Sequence, residues 1–140
     1  VITINIDRAV SIQAALKYRL RRHMHELSIA RSIVETVLDE AGKAHAAKVV
    51  KVTLKIGELA GVMPDSLLFS FELLTRGTIA AEAELSIITL AITAQCSRCN
   101  SIFTITQNRY RCSECGNPDI ELRSGRELQI AGMEIEHGTN

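Results

Sequence analysis

The four cysteines of the chain are grouped in two close pairs, an arrangement typical of metal sites. Cys96 and Cys99 enclose two residues, twelve residues follow, and Cys112 and Cys115 repeat the spacing. Each pair can form a tight turn whose thiolates face one ion, and two such turns complete the tetrahedral four-sulfur shell that zinc accepts. Gly116, directly after the second pair, suits a turn that needs a positive φ. The spacing therefore predicts one structural zinc ion.

Four cysteines have three other common uses besides structural zinc. A catalytic zinc needs an open coordination position, which four thiolates do not leave. A dithiol redox centre normally places one C-x-x-C at the start of a helix in a thioredoxin-like unit, and neither pair has such surroundings. An iron–sulfur cluster also takes four cysteines, although symmetrical pairs suit zinc better. The redox centre and the cluster stay open as alternatives.

Zinc ribbons often bind nucleic acid, but the charge of this segment disfavours that role. Between Cys96 and Arg123 there are four arginines and three acidic residues. Four thiolates around one divalent ion add about two negative charges. Phe103 and Tyr110 are the aromatic side chains available there for base stacking. We keep a zinc-ribbon adaptor for protein or nucleic acid as the alternative function.

A second cluster, Met24-His25-Glu26, stands at the predicted start of a helix. By itself, a His beside a Glu is typical of an exposed helix terminus. If Met24 were the first residue, its amine, the following amide nitrogens and the His25 imidazole could form a planar set of nitrogen ligands. Nickel(II) and copper(II) favour that geometry, whereas zinc does not.

Motifs of common enzyme classes are absent from the sequence. Gly42-Lys43 is followed by Ala44 and lacks the earlier glycine of a phosphate-binding loop, and neither G-x-S-x-G nor H-E-x-x-H occurs. His45 and His137 are interpreted as solvated histidines. We therefore expect a protein that is not an enzyme.

The residues around the two clusters predict an α+β fold. Apolar spacings of three and four predict a helix from Glu26, with Gly42 as its C-cap, and Pro64 suits the first turn of a second helix. Three strands are predicted around residues 50–56, 85–92 and 128–135, with the last slipping at Gly132. The apolar residues expected to be buried on the second helix are Leu67, Leu68, Phe71, Leu74 and Ile79.

We expect these elements to form a small three-stranded sheet with two helices, interrupted by a cysteine module. The predicted domains are residues 24–93 with 125–136, which form the α+β part, and residues 94–124, which form the zinc-binding module. The module has few aliphatic residues, so metal binding would supply most of its stability.

Residues 1–23 differ from the rest of the chain, because they carry five basic side chains and one acid. They can be interpreted as a basic amphipathic helix, as translated upstream sequence, as a cloning remnant or as a transit peptide. We expect this leader to lie outside the functional fold. The apolar runs of the chain are too short for a membrane helix, and we expect a cytoplasmic protein.

In combination these motifs resemble the HypA/HybF family of hydrogenase maturation nickel metallochaperones, over about residues 24–136. The segments that carry the resemblance are Met24-His25-Glu26-Leu27-Ser28-Ile29-Ala30, Ile56-Gly57-Glu58-Leu59, Gly61-Val62, Pro64, Phe71-Glu72, Gly77-Thr78 and the two cysteine pairs.

The resemblance implies a non-enzymatic carrier. Such a protein receives Ni(II) and delivers it to the large subunit precursor of a [NiFe] hydrogenase, working with a HypB-type GTPase. The implied nickel ligands are the His25 imidazole and the main-chain nitrogens of Met24 and Glu26, and the four cysteines would hold structural zinc. A monomer or homodimer is expected, without nucleic acid or membrane insertion. The family pattern starts at the Met, whereas here a peptide bond to His23 removes the free amine of Met24.

Overall fold

A computed structural model of the chain describes residues 1–10 and 22–138, with residues 22–25 described by their backbone alone. The elements in chain order are β1 Ile2–Ala9, α1 Arg22–Lys43, β2 Lys48–Gly57, α2 Pro64–Thr75, β3 Glu84–Leu90, β4 Thr93–Cys96, β5 Ile102–Thr104, β6 Ile120–Ser124 and β7 Leu128–Glu136. The α+β fold class predicted from the sequence is confirmed.

The described residues divide into two compact units. The first unit lies within Val1–Leu54, Val62–Ile88 and Gln129–Asn140, and the second comprises Lys55–Gly61 and Thr89–Leu128. All of the predicted module 94–124 falls in the second unit.

Helix α1 forms around a buried apolar stripe. Ile29, Ile33, Val37 and Ala41 are spaced four residues apart, and each is at most 2% exposed. This spacing places the four side chains on one face of the helix. The helix begins at Arg22, four residues before the predicted start at Glu26.

The end of α1 differs from the prediction. Gly42 lies within the helix, and His45 instead adopts the left-handed conformation, with a φ of 53°. The N–H of Ala46 donates to Ala41 O at 3.0 Å and the N–H of His45 donates to Gly42 O at 3.1 Å. These are the two bonds of a Schellman motif. The prediction of a C-cap at Gly42 was wrong, because His45 takes the left-handed position without a glycine.

Helix α2 begins at Pro64, as the sequence predicts, but fewer of its apolar residues are buried than expected. Leu67 and Phe71 are buried, together with Ser70 and Thr75, and the Thr75 hydroxyl donates to Phe71 O at 2.9 Å. The predicted buried residues Leu68 and Ile79 are exposed, and Leu74 is half-buried. Two of the buried positions are therefore polar, and at one of them the Thr75 hydroxyl is satisfied by the helix backbone.

The larger sheet has four strands in the order β1-β7-β2-β3, one strand more than predicted. In β2 the buried apolar side chains are those of Val49, Val52, Leu54 and Ile56, whereas Val50, expected on the apolar face, is half-buried. In β7 the buried alternation slips at Gly132, as predicted.

The fourth strand comes from the leader. β1 pairs antiparallel with β7, with Ile4 opposite Met133 and Asn5 opposite Gly132. No side chain of β1 is buried, so backbone hydrogen bonds to β7 are its main attachment. Residues 2–9 therefore belong to the sheet. Whether residues 1–23 contribute to function is not tested by this pairing, and the expectation that they do not stays a prediction.

The second unit contains a three-stranded sheet in the order β5-β4-β6. An apolar cluster in this unit consists of the buried residues Ile92, Ala94 and Ile105, with Phe103, Ile120 and Leu122 packed against them. Such a small apolar cluster stabilises a module only weakly without a further constraint. Within the described residues, no helix has the length and apolar character needed to cross a membrane.

The pairing of β1 with β7 depends on the missing side chain at Gly132. A Cβ at this position would lie 2.5 Å from Ile4 O, which is closer than atoms tolerate. Gly132→Ala is therefore expected to displace β1 and to speed amide exchange of residues 2–9 by about tenfold or more, with little effect on the helices.

Gly42→Ala is the matched control, because nothing lies within 4 Å of an added Cβ in that part of α1. It is expected to stabilise the protein by up to about 1 kcal/mol. Unchanged exchange of residues 2–9 in Gly132→Ala would contradict the pairing.

Candidate metal centre

The two cysteine pairs form two turns with the same backbone geometry. In the first turn, the N–H of Asn100 donates to Cys96 O at 3.1 Å, and in the second the N–H of Gly116 donates to Cys112 O at 2.9 Å. Asn100 has a φ of 59° and Gly116 a φ of 74°. The predicted positive φ of Gly116 is confirmed, and Asn100 occupies the equivalent place, since asparagine tolerates this conformation better than most residues.

These turns bring the four sulfur atoms together. All four Sγ atoms lie within 4.8 Å of one another. Cys96 Sγ is 3.6 Å from Cys115 Sγ, and Cys99 Sγ is 3.5 Å from Cys112 Sγ. A tetrahedral zinc site with bonds of about 2.3 Å has sulfur atoms about 3.8 Å apart. The spacing of the four thiols therefore fits a single tetrahedral ion.

Backbone and side-chain N–H groups surround the sulfur atoms. The N–H groups of Arg98 and Glu114 point to Cys96 Sγ and Cys112 Sγ, each at 3.4 Å. The side-chain amide of Asn117 donates to Cys96 Sγ at 3.7 Å. Donors directed at sulfur stabilise thiolates and orient them toward a metal.

The same contacts separate the pKa values of the thiols. The hydroxyl of Ser101, followed by the N–H groups of Cys115 and Glu114, lowers the pKa of Cys112 to about 6. The backbone N–H of Cys99 is the main cause that lowers the pKa of Cys96. The Asn117 N–H acts in the lowering direction on Cys115, but desolvation and the neighbouring thiols raise its pKa to about 11. Four adjacent thiols do not all ionise by themselves, whereas a divalent ion would favour the fully deprotonated set.

Two polar residues of this site were missed in the sequence analysis. Ser101 Oγ lies 3.1 Å from Cys99 Sγ and 3.4 Å from Cys112 Sγ, so it bridges the two turns. Asn117 is buried, and its side-chain amide also contacts Ser97 Oγ at 3.3 Å. The motif's own spacing carries no information about these residues, because their role depends on how the two turns meet.

The second predicted cluster is described only in part. The backbone of Met24, His25 and Glu26 lies in the first turns of α1. Glu26 is 4% exposed, and its Oε1 accepts a hydrogen bond from the N–H of Met63 at 3.2 Å. The side chains of Met24 and His25 fall outside the described residues, so their assignment as nickel ligands stays a prediction.

The histidines with described side chains, His45 and His137, lie outside the cysteine cluster. His137 Nε2 lies 2.8 Å from Ala44 O, and His45 ends helix α1. Within the described parts of the chain, the four cysteines are the one group of His, Cys, Asp or Glu residues close enough to hold a metal ion.

The fold and this site define the class: a small α+β metal-binding protein with a four-cysteine module. Comparison with known proteins identifies the family. Residues 24–135 match the family model described as hydrogenase/urease nickel incorporation metallochaperone, HypA. The chain therefore belongs to the HypA family, whose role is that of a metallochaperone and not of an enzyme.

Individual relatives agree with the family match. The hydrogenase maturation factor HypA of Chlorobaculum tepidum is 41% identical over 113 residues, which are 81% of this chain and 100% of the relative. That of Chloroflexus aggregans is 42% identical over 112 residues, which are 79% of this chain and 98% of the relative.

A solved structure supports the fold. The solution structure of the Ni metallochaperone HypA from Helicobacter pylori is 22% identical, with a TM-score of 0.58, and the match covers 81% of this chain and 98% of that one. The resemblance inferred from the sequence motifs is confirmed.

The contacts of Ser101 lead to a test of the metal site. Cys112→Ser is expected to abolish tight metal binding, because it removes one of four ligands. Ser101→Ala leaves all four ligands in place and is expected to weaken metal affinity by about 10-fold to 100-fold, since it removes a group that orients two of them. Metal affinity is measured by competition with a chromophoric chelator.

Ser113→Ala is the matched control, since Ser113 is an exposed serine within the second cysteine turn. If Ser101→Ala and Ser113→Ala bind metal equally tightly, the bridging role of Ser101 is refuted.

Proposed function

We propose that this protein carries Ni(II) as cargo and delivers it to the large subunit precursor of a [NiFe] hydrogenase, in cooperation with a HypB-type GTPase in the cytoplasm. The observation that carries the proposal is the family match, which spans both Met24-His25-Glu26 and the four cysteines. In this proposal the cysteines hold a resident zinc ion. The proposed nickel ligands are the His25 imidazole and the main-chain nitrogens of Met24 and Glu26.

The chemistry of the two donor sets supports different roles for the two metals. Four thiolates close the coordination shell of zinc and leave no position for an incoming ligand. Nitrogen ligands on one short segment leave room for a partner's ligands to enter and take over the ion. Zinc would therefore stay bound while nickel is transferred.

The helix around Met24 adds a constraint to nickel binding. In a helix, only the first four N–H groups lack an intrahelical acceptor. With α1 beginning at Arg22, the N–H of Glu26 lies beyond those four. Coordination through the Glu26 nitrogen would then require the first turn to open, at a cost of about 1 kcal/mol per hydrogen bond lost. In a helix that starts at Met24, the nitrogens of His25 and Glu26 would be among the free groups.

We therefore expect a form that begins at Met24 to bind nickel more tightly than the full chain. Both the free amine and the free amide groups favour the shorter form, so a difference of about tenfold or more is expected. Calorimetric titration of zinc-loaded protein with Ni(II) measures it, and affinity should rise with pH because the ligands lose protons on binding. Equal affinity of the two forms would show that the amine and the helix opening do not matter.

The His25 ligand is tested in the same titration. His25→Ala is expected to abolish tight nickel binding while zinc content and fold stay unchanged, because only the cargo site loses a ligand. His137→Ala is the matched control at another histidine.

Delivery itself is tested by adding nickel-loaded protein to an extract that contains the hydrogenase precursor and the GTPase but no free nickel. Hydrogenase activity should appear with the parent protein and not with His25→Ala. A protein that holds zinc alone and is retained on nucleic acid in a salt-sensitive way would instead support the zinc-ribbon adaptor.

A further inference from the structure

Glu26 is the buried acidic residue of the segment that begins helix α1. The residue is 4% exposed, and its Oε1 accepts the hydrogen bond from the N–H of Met63, a residue 37 positions later in the chain. Both residues belong to the first compact unit. The bond therefore joins the beginning of α1 to the residue directly before α2.

The beginning of α2 provides a physical reason for this contact. Met63 is the N-cap of α2 and supplies no side-chain cap, and Pro64 follows at the first helical position. The N-terminal end of a helix carries a partial positive charge, which an acidic group stabilises. Here the acidic group comes from another helix, and the polar contact reduces the cost of burying the carboxylate.

We propose that the carboxylate of Glu26 is a positioning group for the nickel site and not a nickel ligand. By holding Met63, it fixes the turn of α1 that carries His25 against the residue that precedes α2. The metal would bind the main-chain nitrogen of Glu26 once the first turn of α1 has opened, while Oε1 is engaged by the protein itself. This inference rests on the nickel site proposed above.

Two substitutions at Glu26 separate positioning from ligation. Glu26→Ala removes the acceptor and is expected to weaken nickel binding by about tenfold or more, the usual effect of losing a group that orients metal ligands. Glu26→Gln keeps an oxygen that accepts from Met63 and is expected to recover most of that loss, although it removes the negative charge. If the Glu26 carboxylate were itself a nickel ligand, both variants would lose nickel affinity to the same extent.

The other partner of the bond gives an independent test. Met63→Pro removes the N–H donor, and the φ of −88° at Met63 lies near the value that proline imposes. We expect it to bind nickel at least about fivefold more weakly than Met63→Ala, which loses the exposed side chain but keeps the N–H. In the double variant Glu26→Ala/Met63→Pro the two losses should not add, because both remove the same bond.

The titrations use the full zinc-loaded chain and are repeated in the form that begins at Met24. Nickel affinity is read by calorimetry, the ligand set by X-ray absorption at the nickel edge, and folding by zinc content and circular dichroism. The expected nickel spectrum of Glu26→Gln matches that of the parent protein.

Three results would overturn the proposal: equal losses in Glu26→Gln and Glu26→Ala, a changed nickel ligand set in Glu26→Gln, or additive losses in the double variant. If the parent protein binds no nickel in either form, the proposed function itself fails. The titration of the parent protein therefore distinguishes failure of the proposed function from failure of this inference.

Discussion

The second unit is built around four sulfur atoms that lie within 4.8 Å of one another. Four thiolates at this distance would repel one another. The contacts of the four thiols, the Ser101 hydroxyl above all, lower the pKa of Cys112 to about 6, whereas the pKa of Cys115 is raised to about 11. A divalent ion removes the conflict, because one bond to each sulfur replaces the repulsion. We expect the second unit to need such an ion for its stability, since its own apolar cluster has only three buried residues.

The backbone is arranged to make this approach possible. The two turns reuse one hydrogen-bond pattern, with Asn100 and Gly116 in equivalent left-handed positions. Strand β4 ends at Cys96, so its pairing with β5 and β6 sets the place of the first turn. Ser101 and Asn117 then connect the two turns around the sulfur atoms. The metal site and the small sheet are therefore parts of one folding unit.

In the first unit, the proposed nickel site is held by a hydrogen bond and not by a cluster of thiols. A single hydrogen bond between Glu26 and Met63 joins residues 37 positions apart, at the point where two helices begin. Such a contact is weaker than a closed thiolate shell, and a turn of helix at a terminus opens more easily than a helix interior. This difference suits the proposed function, in which zinc stays bound and nickel is released.

Much of the fold and of the cysteine site was predictable from local pattern. The cysteine spacing, the apolar stripe of α1, Pro64 at the start of α2 and the slip at Gly132 each depend on neighbours a few residues away, and the motifs together indicated the family. The sequence did not indicate the added strand β1, the left-handed cap at His45, the buried Ser70 and Thr75, or the contacts of Ser101, Asn117 and Glu26. Most of these depend on which distant segments meet. Local spacing thus determined the cysteine pairs and the helices. Tertiary packing decided the positions of the groups that orient the cysteines, because long-range pairing leaves no periodic signal in the chain.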